Sequence, residues 1–104
     1  MIKIKLLKNG SNFEKIIIKG HALYDDFGKD IVCAAASSTV ITSINASLLI
    51  NDKSLSYVED DGLDIKVLSG DEVTTKIIDN MLSNLEELAK AYPKNIQIKE
   101  ENNE

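Results

Sequence analysis

The sequence predicts an α/β domain: a mixed sheet packed with two helices, in the order β-β-α-β-β-α-β. Three observations carry that expectation. Apolar and charged residues alternate with a period of two in Met1–Leu7 and again in Leu63–Leu68, the pattern of half-buried strands. The dipeptides Asn9-Gly10 and Asp61-Gly62 each join two such segments, and both are hairpin signals. A helical stretch follows each hairpin, the second with an apolar stripe at the helical period. With 104 residues, 43% of them hydrophobic, the chain suits one domain over 1–104 with one core.

In the first strand Ile2, Ile4 and Leu6 alternate with Lys3 and Lys5. Phe13–Lys19 supplies the second, centred on Ile16-Ile17-Ile18, and delivers Gly20 and His21 at its end. Gly20 permits the turn required there at no steric cost. Leu23–Lys29 reads as a connecting loop, and Asp30–Ile50 as the first helix. Ile31–Ile50 has no charged residue. Its length approaches that of a membrane span, roughly 20 residues. Its seven hydroxyl and amide side chains, from Ser37 to Ser47, point instead to a buried helix in a protein with no membrane role. A helix with no charge on any face must be covered nearly all round. The second helix or a partner subunit must therefore cover what the sheet does not.

Asn51-Asp52-Lys53 breaks that helix. Leu55–Glu59 and Leu63–Leu68 read as a second hairpin, with Glu59, Asp60, Asp61 and Asp64 clustered at its turn. Ser69 and Glu72 match a capping box at the start of the second helix. Val73, Ile77, Ile78, Met81, Leu82, Leu85, Leu88 and Tyr92 form its stripe, and Pro93 stops it. Asn95–Lys99 is a short last strand, and residues 100–104 read as a frayed polar tail.

Net charge is -5 and no basic cluster stands out, which argues against direct nucleic-acid binding. A basic client suits an acidic protein. The single cysteine cannot form an internal disulfide, in keeping with a cytoplasmic location. Met1–Lys8 carries three lysines and lacks the apolar core of a signal peptide.

The only histidine, His21, and the only cysteine, Cys33, flank the Leu23–Lys29 loop. Cys33 is expected in the first turn of the first helix, where the dipole and unpaired amides favour a thiolate. His21 can take the thiol proton and pass it to a leaving amine. Against this, a lone cysteine is commonly a small core hydrophobe. One His and one Cys fall short of the four ligands of a structural zinc site, so neither metal nor cofactor is expected. Asp30 can cap the helix or orient His21, with capping favoured. Tyr24 and Phe27 either pin the loop or wall a substrate side chain. Ser37, one turn after Cys33, either touches the site or back-bonds to its own helix.

Gly20-His21-Ala22, a loop, then Gly28-x-Asp30-Ile31-Val32-Cys33-Ala34-Ala35-x-Ser37 resembles the signature of the ribosomal-processing cysteine proteases, the Prp family. The resemblance extends over essentially the whole chain in length and segment order. It implies a cysteine endopeptidase that removes the N-terminal extension of the large-subunit ribosomal protein L-twenty-seven during ribosome assembly. It also implies Cys33 as nucleophile, His21 as base, supporting roles for Asp30 and Ser37, and a homodimer. The loop Leu23-Tyr24-Asp25-Asp26-Phe27 is bulkier and more acidic than a glycine-rich lid. Two other readings stay open. One is a non-enzymatic dimeric module that binds a basic ribosomal protein; the other is a redox-sensing thiol, which would lack a resolving cysteine.

Overall fold

The computed structural model describes residues 1–10, 12–20, 27–59 and 62–102. Its elements are β1 (Ile2–Asn9), β2 (Asn12–Lys19), α1 (Phe27–Ile50), β3 (Leu55–Glu59), β4 (Leu63–Val67), α2 (Glu72–Ala91) and β5 (Ile96–Asn102). They form the expected mixed sheet, in the spatial order β3-β4-β2-β1-β5, with two helices packed on it. β1 pairs antiparallel with β2 and parallel with β5; β4 pairs antiparallel with both β2 and β3.

Alternation explains why one sheet face is dry. Ile2, Ile4, Leu6, Ile16, Ile18, Leu55, Ile65 and Ile96 turn to the helices and are buried, while Lys3, Lys5 and Lys66 stay exposed. Each such aliphatic side chain contributes roughly 1.5–3 kcal/mol on burial. Both hairpin turns need a glycine: Gly10 has φ +68° and Gly62 has φ +146°. A bulge between Leu7 and Lys8 shifts the β1–β2 register beside the first turn.

The first helix begins at Phe27, three residues before the expected start at Asp30, so Cys33 lies in its second turn and not its first. Asp30 is then the fourth helical residue and not the cap. Nor is α1 covered all round. It buries one stripe, Val32, Cys33, Ala36, Val40, Ile44 and Ser47, and leaves Ile31, Ile41, Leu49 and Ile50 exposed. The outer face sets Ile31 and Leu49 among Ala34, Ser38 and Thr42, and water solvates the two hydroxyls without any charge. Ile31–Ile50 has the length and mean hydropathy, 1.5, of a membrane span, and a third of that window is buried along the stripe.

Asp71, and not the Ser69–Glu72 pair, caps α2. Its carboxylate accepts the Thr74 amide at 2.7 Å, and Ser69 Oγ accepts the Asp71 amide at 3.3 Å. Such a bond satisfies one of the amides that a helix start leaves unpaired. The apolar stripe starts at buried Thr74, leaving Val73 exposed, and ends before Tyr92, which is also exposed. The helix stops one residue earlier than Pro93 requires: Tyr92 is the C-cap, its amide donating to the Leu88 carbonyl. Residues 100–102 are not a frayed tail. They extend β5 beside Leu6, Leu7 and Lys8, with ion pairs Lys8–Glu100 at 3.0 Å and Lys5–Glu101 at 3.6 Å.

Candidate functional site

β2 delivers the chain to one end of the sheet. Gly20 leaves it at φ +80°, and a Cβ built there would overlap the Met1 carbonyl oxygen. Glycine is therefore required at this exit both by conformation and by space. His21 and Tyr24 lie outside the described residues. So do the side chains of Phe27 and Asp30, whose backbones, with that of Gly28, form the first turn of α1. Cys33 is 2% exposed and joins the core cluster beside Val32 and Ala36. A helix leaves its first four amides unpaired. With α1 starting at Phe27, those amides precede Cys33 by about a turn, so an oxyanion site built from them lies N-terminal to the thiol and not around it.

One turn beyond Cys33, Ala36 and Ser37 form the head of an open cleft of about 210 Å³. Ile2, Ile4 and Ile18 make its floor; Val40, Ile41, Ile44 and Asn45 continue the α1 wall. Tyr57, Glu59 and Leu63, from β3 and β4, form the opposite wall. The helical back-bonds among the described residues are made by Thr39 to Ala35 and by Ser43 to Thr39, while half-buried Ser37 lines the cleft. Ile18 lies two residues before Gly20, so the cleft floor includes the strand that leads into the exit of β2.

The acidic cluster seen in the sequence divides between the two faces of the sheet. Glu59 pairs across from Leu63 and turns toward the helices; Asp64 sits opposite Val58 on the other face, where Lys15 binds it at 3.3 Å. Asp60 and Asp61 lie outside the described residues. Tyr57, Glu59, Leu63 and Asn45 were not singled out from the sequence as cleft residues. Strand parity was the available signal, because Tyr57 and Glu59 share a face with buried Leu55. Among the described residues, no three His, Cys, Asp or Glu side chains converge as a metal site.

A family model described as Cysteine protease Prp matches residues 1–97. The ribosomal processing cysteine protease Prp of Staphylococcus aureus is 31% identical over 87 residues, which cover 80% of this chain and 82% of the relative. Solved structures agree. SMU.848 from Streptococcus mutans superposes with a TM-score of 0.88 at 26% identity, covering 99% of this chain and 96% of that one. The S. aureus protease Prp in complex with a substrate peptide also gives a TM-score of 0.88, at 25% identity, covering 97% and 100% of the two chains. The S. aureus enzyme with a covalently linked product peptide matches at 26% identity, TM-score 0.88, with the same coverage.

Proposed function

This chain belongs to the Prp family and is a cysteine protease, and on that premise we propose that it cleaves the N-terminal extension from ribosomal protein L-twenty-seven, with Cys33 as nucleophile and His21 as general base and acid. The observation that carries the reading is that this sequence offers one cysteine and one histidine to a family defined by cysteine chemistry. The family also sets aside the non-enzymatic binding module. The peptide-bound and covalently product-linked structures of the S. aureus relative support a peptide substrate and an acyl-enzyme route.

In the proposed reaction His21 removes the Cys33 proton, and Sγ attacks the scissile carbonyl carbon. The tetrahedral oxyanion is held by the unpaired amides at the start of α1. Collapse breaks the C–N bond; His21 gives its proton to the leaving amine, and a thioester remains on Cys33. Water, deprotonated by His21, then attacks the thioester, releasing the carboxylate and restoring the thiol. Asp30 orients His21, since its place inside the first turn removes the capping role. Ser37 supports the site from the cleft wall, Tyr24 and Phe27 wall the substrate, and Gly20 and Gly28 set the loop ends. Cys33 is buried, so whatever covers the thiol must move before a substrate carbonyl reaches it. The protein works in the cytoplasm as a homodimer, and its net charge of -5 suits a basic ribosomal client.

The deciding experiment is mass spectrometry of the extended ribosomal protein from the same cell after incubation with purified enzyme. A single new N-terminus is expected, absent with Cys33→Ala and reduced by about 100-fold or more with His21→Ala, the scale of a general acid–base contribution. Cleavage that persists with folded Cys33→Ala would overturn the nucleophile assignment. No cleavage by the wild-type protein would overturn the substrate.

A further inference from the structure

We propose that the cleft between α1 and the β3–β4 hairpin holds a large apolar side chain of the substrate peptide, and that Glu59 at its rim selects a lysine or arginine near it. The inference rests on the protease reading for the identity of the peptide, and adds to it a subsite and a charge preference.

Size, lining and charge agree. The cleft encloses about 210 Å³. That is below the roughly 300 Å³ at which drug-sized ligand sites begin, so it fits a side chain better than a whole small molecule. Its floor and helix wall present Ile4, Ile18, Val40 and Ile44, which reward an apolar occupant. Its helix wall begins at Ala36–Ser37, one turn from Cys33, which puts the cleft within reach of a peptide whose scissile bond lies at the thiol. Among the described residues Glu59 is the one charged side chain in the lining. Four other carboxylates carry ion pairs, Asp64 with Lys15, Glu100 with Lys8, Glu101 with Lys5 and Glu72 with Lys76, and the remaining described carboxylates lie outside the cleft lining. Among the described residues no cation pairs with Glu59, so its charge is available to a ligand. An extended peptide puts every second side chain on one face, about 6.6 Å apart. An apolar residue seated in the cleft thus brings its neighbours to the rim, where a cation meets Glu59.

The test uses peptides spanning the cleaved bond of the extended ribosomal protein, each position replaced in turn by lysine or by norleucine, its uncharged near-isostere. Affinity is read by fluorescence anisotropy on the Cys33→Ala protein, which does not turn the peptide over. At one position lysine should bind about 2–5-fold tighter than norleucine, the scale of an exposed ion pair. Glu59→Gln on the same background should remove that ratio, and Glu59→Lys should reverse it. Isoleucine methyl resonances of Ile4, Ile18 and Ile44 should shift on peptide addition. Shifts confined to Ile96 and Ile98, no binding by any peptide, or a lysine preference that survives Glu59→Gln would each overturn the proposal. Peptides that bind in the cleft with the expected ratio but are not cleaved by the wild-type protein would support the subsite and overturn the protease substrate, so the two failures are distinguishable.

Discussion

Gly20 ends the sheet just before the histidine proposed as the base, at a point where no other residue fits. Its φ of +80° is left-handed, and its missing Cβ leaves room for the Met1 carbonyl. Left-handed backbone costs a non-glycine residue roughly 1–2 kcal/mol. Gly20→Ala is therefore expected to lower Tm by at least about 4 °C, since about 1 kcal/mol moves a domain of this size by ~4–8 °C. Cleavage measured well below that Tm should fall further, because the next residue is His21; wild-type activity in the variant would disconnect the exit geometry from the site. Ser47 is the opposite case. Its side chain is buried and its Oγ has no hydrogen-bond partner among the described residues, while its carbonyl accepts from Ser54 Oγ and the Asn51 amide. An unsatisfied buried hydroxyl costs about 1–3 kcal/mol, and alanine is the better helix former. Ser47→Ala should raise the denaturation midpoint by the equivalent of about 1 kcal/mol, the low end of that cost. A loss of stability would show that the hydroxyl is satisfied in solution.

At the scale of elements, the α2 cap carries a pH dependence. Hydrogen bonds from the Thr74 hydroxyl and amide hold the Asp71 carboxyl below its ordinary value of 3.8, with a further contribution from Asn51 and against a desolvation penalty. A carboxylate whose pKa is lowered on folding contributes stability above the unfolded value, and loses it as pH falls through the folded one. Asp71→Ala should thus melt at a lower temperature than wild type at neutral pH, and the two curves should converge in thermal scans below 3.8. A gap that persists unchanged in acid would mean the charge plays no part in the cap. Capping by Asp71 also explains why the Ser69–Glu72 box does not form: with Asp71 at the N-cap, Glu72 is the first helical residue and pairs with Lys76 at 3.0 Å.

For the molecule as a whole, the unmet demand of α1 is its outer face. Ile31 and Leu49 are separated by a whole number of helical turns, so they stand on the same side of the helix. They are 66% and 88% exposed. The proposed homodimer would cover such a face. Sedimentation equilibrium should return twice the mass of one chain, and Leu49→Lys should shift the protein toward the monomer and remove the concentration dependence of its Tm. A wild-type monomer at working concentrations would remove the dimer.

Much of this architecture was determined by the sequence alone. Alternation in β1, the two Xaa-Gly turns and the stripe of α2 are local signals, because strand parity and helical period repeat over a few residues. The only cysteine and the only histidine, in a window matching the family motif, likewise needed no coordinates. Tertiary structure decided the rest. The helix starts at Phe27 and not at Asp30, which no local signal recorded, and that start moved Cys33 from the first turn to the second. Glu100 to Asn102 became strand because β1 supplied a parallel partner, which no local propensity records. An uncharged helix looked buried on all sides, yet only one stripe docks, since serine, threonine and asparagine satisfy water without charge. The cleft exists only where α1 crosses β3 and β4, segments distant in sequence from its floor, so contacts between them were decided by the fold.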